Sequence, residues 1–212
     1  METMINARAL EKIRNSCSYT SGLCLSSRGR SGGLGLWWKD INVHLQSYDK
    51  NHIAIIVLRD DGETMWKAVG VYGWPNLANK HKTWSMMRTL CTYNHDPIIF
   101  FGDFNEILCE SEKEGGAIKN ERQMDAFLSA LDDCALNDMG FQGNVFTWQR
   151  GMGDGTLIRE RLDRAVATVC WRGLFPNAEV RHFPIYSSDH CAILIQDVAV
   201  VTRMSGKRSF KF

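Results

Sequence analysis

Three short runs of this 212-residue sequence bring together side chains that can move a proton or hold an anion. Gly102-Asp103-Phe104-Asn105 follows directly on the apolar Pro97-Ile98-Ile99-Phe100-Phe101, which reads as a strand buried on both faces. Side chains alternate along an extended chain, so Asp103 and Asn105 project to one side and Phe104 to the other. An acid and an amide then meet at the C-terminal end of a strand, where sites in such sheets gather. The same tetrapeptide also fits an Asx turn capping the strand. Ser187-Ser188-Asp189-His190 sets an acid beside a histidine, the side chain that titrates nearest neutrality, at the edge of a second apolar strand, Cys191 to Ile195. Taken alone it reads first as a hydrogen-bonded turn. Arg161-Leu162-Asp163-Arg164 places an acid between cations in an otherwise apolar stretch, where it fits a helix N-cap ahead of Arg164 to Val169.

The elements that would have to position these residues can be read from periodicity and turn formers. Leu23 to Ser26, Gly33 to Trp38, Val43 to Tyr48, Ile53 to Arg59 and Met65 to Trp74 are β-prone runs separated by Arg30-Ser31-Gly32, Asp49-Lys50-Asn51 and Asp60-Asp61-Gly62. Their spacing predicts an antiparallel meander. Asn79 to Tyr93 and Arg122 to Cys134 carry apolar residues at helical period. Val145 to Trp148, Thr156 to Ile158, Glu179 to Phe183 and Cys191 to Ile195 return to strand, with a helical segment expected at Asp163 to Thr168. Strands before and after two helices predict two packed sheets with helices outside, an α+β or α/β sandwich.

Composition sets the bounds. An apolar content of 44% suffices for a sizeable core in one domain or at most two. A net charge of +1 neither demands nor excludes a nucleic-acid partner. The longest apolar run, Ile53 to Leu58, is far short of the roughly 20 residues of a membrane span, and no signal-peptide pattern follows Met1. No membrane partner is therefore expected, and the location is expected to be nuclear or cytoplasmic. Seven cysteines without a C-x-x-C read as reduced thiols rather than a disulfide framework or zinc ribbon. Residues 201–212 carry Arg203, Lys207, Arg208 and Lys211 and no acid, and read as a basic exit segment after a domain spanning 1–200.

Taken together and in order, Asp103, Asn105, Asp163, Ser188, Asp189 and His190 resemble the endonuclease/exonuclease/phosphatase superfamily. The finer resemblance is to endonuclease domains of plant LINE-type (non-LTR) retrotransposons. It rests on Ser27 to Gly33, Gly70-Val71-Tyr72-Gly73, Gly102 to Leu108, Glu112-Lys113-Glu114-Gly115-Gly116, Phe146-Thr147-Trp148, Ile158 to Arg164 and Ser188-Asp189-His190. The resemblance implies a four-layer sandwich in which two sheets are flanked by helices. It also implies roles: Glu2 a metal-binding acid, Asp103 and Asn105 the pair handling attacking water and scissile phosphate, Asp189 a carboxylate at the metal. His190 would be the catalytic histidine, Asp163 the acid orienting it, and Tyr72 a phosphate contact. Asn144 or Thr147 would supply a further phosphate contact, beside Ser188.

Those residue types suit the implied reaction. Displacement at an anionic phosphodiester needs a cation, an activated water and donors to the nonbridging oxygens. Carboxylates and an amide oxygen are hard ligands matched to Mg²⁺ or Mn²⁺, and the scheme needs no organic cofactor. DNA is the implied partner and nicking the implied activity; a small-molecule phosphatase is the alternative within the superfamily. The resemblance further implies two strands ahead of Glu2, the first carrying an active-site Asn, so that the chain reads as truncated at its N-terminus relative to that pattern. This adds a third expected class, a catalytically impaired retroelement remnant with at most a binding role. The remaining features have plainer readings: Gly29 to Gly35 a turn into a strand, and the Glu110 to Glu114 run and Asp132-Asp133 solvated surface.

Overall fold

The computed structural model describes Thr3 and residues 5–28, 31–91, 96–151 and 155–197; Glu2 and the basic segment 201–212 lie outside the described residues. Helix α1 (Ala7–Ser16) is capped by Asn6, whose side chain accepts the Ala9 N–H. It packs against an antiparallel pair, β1 (Ser21–Cys24) and β2 (Gly35–Trp38). Of the meander expected over five runs, the first two stand apart as this pair and the last three form it, as β3 (Asn42–Tyr48), β4 (His52–Leu58) and β5 (Thr64–Tyr72), each antiparallel to the next. β3 alternates exposed and half-buried positions as an edge strand should, whereas β4 is buried almost throughout.

Helix α2 (His81–Leu90) carries the chain across to β6 (Ile98–Asp103), parallel to β5. Beyond the short β7 (Lys113–Glu114) comes α3 (Glu121–Asp133), then β8 (Leu136–Asp138), β9 (Gln142–Gly143), β10 (Trp148–Arg150) and β11 (Ile158–Glu160). β12 (Asp163–Thr168), α4 (Val169–Leu174), β13 (Ala178–Phe183) and β14 (Ala192–Asp197) complete the described chain. The strands expected at 145–148 and 156–158 thus start later, at Trp148 and Ile158.

The central sheet has the order β8-β12-β6-β5-β4-β3. One face buries Val69, Val71, Ile98, Phe100 and Val166 under α2 and α3, with the Trp84 and Phe127 rings stacked 4.4 Å apart between the two helices. The other face buries Ile53, Ile55, Ala68, Ile99, Ala165 and Ala167 under a second layer of strands. That layer is in two pieces, β1–β2 and β9-β13-β14, with an aromatic groove between them lined by Trp37, Trp66, Phe101 and Phe175. With α1 outside β1–β2, the layers run helix, sheet, strands, helix, which is the sandwich the sequence predicts.

Two expectations are corrected. Asp163 to Thr168 is strand, not helix: β12 is buried along its whole length between β6 and β8. A short run of Ala and Val suits a buried strand as well as a helix, and here the two neighbouring strands decide. Asp163 therefore opens a strand rather than capping a helix. Glu112, expected in solvent, is buried, its carboxylate receiving the Arg164 Nη2–H at 2.7 Å and the Arg161 Nη1–H at 2.7 Å. Asp138 closes this network on the same two guanidinium groups, at 2.8 and 2.9 Å. Burial of the permanently charged Arg164 guanidinium is offset by the two carboxylates that face it.

Candidate active site

Asp103 ends β6, and the register of its neighbours builds the site around it. Tyr72 pairs with Asp103 from β5 and Asp163 pairs with it from β12, so one row across three strands carries all three. The tight end of this row requires glycine twice. A Cβ on Gly102, where φ is +129°, would meet the Val71 carbonyl oxygen at 2.3 Å, and one on Gly73 would meet that of Phe104 at 2.4 Å. Phe104 turns into the cluster beneath the helices, as alternation demands. The chain then reverses at Asn105, whose φ of +55° lies in the left-handed region that Asn tolerates better than most residues. Asn105 N–H donates to Asp103 Oδ1 at 2.7 Å, and its Nδ2 donates to Asp103 Oδ2 at 3.0 Å and to the Gly73 carbonyl at 2.9 Å. The Asx turn and the acid–amide pair are one arrangement.

The histidine is brought in by a second set of bonds. Thr147 Oγ1 accepts the N–H groups of Leu162 and Asp163 at 3.0 and 2.8 Å, and its carbonyl accepts Cys191 N–H at 2.7 Å. One buried threonine thus ties the strand bearing Asp163 to the segment bearing His190. Trp148 and His190 face each other in an antiparallel bridge, and Ser188 Oγ accepts His190 N–H at 3.1 Å, the hydrogen-bonded turn anticipated for that run. His190 Nδ1 stands 2.7 Å from Asp163 Oδ2, and its Nε2 faces Asp103 Oδ2 at 4.0 Å.

Burial sets the charges here. Asp103 is 3% exposed; burial, then the negative charge of Asp163, push its carboxyl up to about 7, against the pull of His190 and the Asn105 N–H. For His190, burial opposes the cation, but the hydrogen bond and charge of Asp163, with Asp103 and Asp189 behind, outweigh it and hold the imidazole above its ordinary value. A carboxyl poised near neutrality beside an oriented imidazole is an arrangement fit for general acid–base work.

Of the residues singled out in the sequence, Asp103, Asn105, Asp163 and His190 converge directly. Tyr72 shares their row and is buried against the second layer. Ser188, Asp189, Asn144 and Thr147 line a small cleft with His190 and Trp148. Thr147 is 1% exposed, with its hydroxyl accepting two backbone bonds, and Asn144 Oδ1 accepts Phe146 N–H at 3.3 Å. Asp189 is exposed, and its Oδ2 accepts the Trp148 indole N–H at 3.1 Å. Among the described residues no three His, Cys, Asp or Glu side chains stand close enough to hold an ion. The described donors therefore do not make a metal centre by themselves; Asp189 is an exposed carboxylate at the cleft, and Glu2 lies outside the described residues.

Sequence reading gave no role to two residues beside the site. Lys80 Nζ donates to the Asn105 carbonyl at 2.6 Å and to Glu106 Oε2 at 2.5 Å, and Glu106 is wholly buried. Only the acid next to Asn105 hinted at them.

No family model matches the chain, and no curated protein matches it. Among solved structures it is similar to the "Endonuclease domain of TRAS1, a telomere-specific non-LTR retrotransposon", at TM-score 0.64 and 14% identity, over 91% of this chain and 92% of that one. It is similar also to beta toxin from Staphylococcus aureus, at TM-score 0.58 and 10% identity over 93% and 85% of the two chains. A humanized D. rerio TDP2 matches at TM-score 0.53 and 10% identity, over 91% and 82%. At such identities the likeness is one of architecture. The fold is of the endonuclease/exonuclease/phosphatase type, as the motif order implied.

Proposed function

We propose that the protein is a metal-dependent phosphodiesterase that nicks DNA, of the kind LINE-type retrotransposons carry. The observation that carries this reading is the convergence of Asp163, His190, Asp103 and Asn105, with His190 Nδ1 2.7 Å from Asp163 and Nε2 turned toward Asp103. Motif order along the chain and likeness of fold to a non-LTR retrotransposon endonuclease domain support the choice of substrate.

In this reading Asp103, as carboxylate, takes a proton from the attacking water, and a pKa near 7 suits a base working at neutral pH. Asp163 accepts Nδ1–H and so fixes the tautomer of His190. The 4.0 Å from Nε2 to Asp103 is too long for a direct hydrogen bond and leaves Nε2 free to meet a nonbridging phosphate oxygen. Asn105 holds the Asp103 carboxylate in place through two donated bonds. Attack by the water breaks the P–O bond to the departing sugar oxygen, and a Mg²⁺ or Mn²⁺ ion held by Asp189, with Glu2 as the resemblance implies, would supply positive charge against the phosphate and that oxygen.

The test is supercoiled plasmid with Mg²⁺. We expect conversion to open circles, its abolition by EDTA, and a loss of about 10²–10⁴-fold in Asp103→Asn and His190→Ala. Nicking that survives EDTA would remove the ion from the scheme. A parallel assay on phosphoinositides separates the alternatives: turnover there with intact plasmid would make the substrate a small molecule, and no turnover of either would leave a binding remnant.

A further inference from the structure

We propose that Lys80 is a positioning residue for the reaction: its ammonium holds the Asn105 carbonyl and so sets the amide that braces Asp103. The inference rests on the reading of Asp103 and Asn105 as site residues, and adds a residue outside the motifs that suggested it.

The geometry is a chain of three contacts running out from the site. Asn105 sits in a left-handed conformation, unusual for a side-chain-bearing residue, so something must hold it there. On the site side it is held by bonds to Asp103 and the Gly73 carbonyl, which engage its backbone N–H and its Nδ2. On the far side its carbonyl accepts from Lys80 Nζ at 2.6 Å. Lys80 is held in turn by Glu106 Oε2 at 2.5 Å. Glu106 is 0% exposed, and its other oxygen takes Lys119 Nζ at 3.3 Å and Ile107 N–H at 3.1 Å.

A buried lysine is expensive to desolvate, and burial is what draws Lys80 below its ordinary pKa. A merely structural bridge could be replaced here by apolar side chains without loss. The amine instead bonds the carbonyl of Asn105 itself, in the peptide that leaves the left-handed turn toward Glu106, and so fixes ψ at the residue whose N–H and Nδ2 brace Asp103. A cation at an sp² carbonyl makes a strong, directional bond. Loss of that bond frees the Asn105–Glu106 peptide to rotate and loosens the left-handed turn that aims the Asn105 N–H and Nδ2 at Asp103.

The test uses three variants of the full chain: Lys80→Met, Lys80→Arg, and the double change Lys80→Met with Glu106→Gln, which removes both charges of the Lys80–Glu106 pair and leaves Lys119 on its other partner, Glu160 Oε2, at 3.1 Å. Two readouts are taken, plasmid nicking resolved into kcat and KM, and the ¹⁵N-¹H resonances of the Asn105 side-chain amide. We expect Lys80→Met and the double variant to lose kcat by about 10–100-fold with KM within about 3-fold, and Lys80→Arg to recover part of the loss. The Asn105 amide resonances should move toward free-amide positions in both Met variants while the rest of the double variant's spectrum stays folded. Unmoved Asn105 resonances in the folded double variant, or an unchanged kcat there, would overturn the proposal. A wild-type protein that nicks nothing would sink the nuclease reading, and the resonances would still decide the role of Lys80.

Discussion

At the scale of single residues, what distinguishes this site is two acids and one imidazole sharing a buried end of a sheet. Asp103 and Asp163 face each other in register, and the charge of Asp163 raises the cost of ionising Asp103; the imidazole of His190 relieves it. The expected consequence concerns pH. Because Asp103 must be ionised to act as base, the nicking rate should rise with pH through its raised pKa, near 7. Asp163→Asn removes the second-largest cause of that elevation, after burial. The acidic limb should therefore move to lower pH, while the maximal rate drops by about 10²–10⁴-fold as His190 loses its carboxylate partner. A pH–rate profile of the variant checks both; a limb that stays in place would mean that Asp163 does not set the pKa of Asp103. The acid–amide pair was legible at this scale because alternation and a terminal glycine are local signals. Lys80 and Glu106 were not, because nothing in the spacing of residues 80 and 106 says that the fold brings them together.

At the scale of elements, the site depends on a small number of bonds between segments. Thr147 joins the start of β12 to the His190 segment through two accepted N–H bonds and one carbonyl, beside the direct His190–Asp163 bond. In Thr147→Val the N–H groups of Leu162 and Asp163 lose their acceptor in a buried place, at a cost of about 1–3 kcal/mol each. We expect a fall in thermal midpoint of several degrees together with weaker nicking, measured by calorimetry and plasmid assay; an unchanged midpoint would mean that the two amides find other partners. The meander, α2, α3 and β6 were readable because period and turn residues agreed with the final fold. β12 was misread because Asp163-Arg164-Ala165-Val166-Ala167-Thr168 contains no local choice between helix and strand, and pairing with Phe101, Phe100 and Ile99 on β6 makes it. Glu112 was misread for a related reason: an acid in an acidic run looks solvated until the arginines of a later segment close over it.

At the scale of the whole molecule, the sandwich keeps its two kinds of surface apart. The helical face of the central sheet is a stacked aromatic and aliphatic core, and the opposite face meets a second layer in two pieces, with the Tyr72–Asp103–Asp163 row at one end of it. That row draws on three strands far apart in the chain, and His190 joins it from farther still. Contacts between distant segments form late, because the loops they close must be ordered first. On dilution from denaturant we expect the helical circular dichroism of α2 and α3 to recover ahead of nicking, with activity returning only in the slowest phase. Recovery of both in one early phase would show that the row assembles with the helices. The same register has a consequence during synthesis. A nascent chain that has exposed β6 and its Gly-Asp-Phe-Asn turn still lacks β12 and His190, so the ribosome must pass residue 190 before the row and its imidazole can come together.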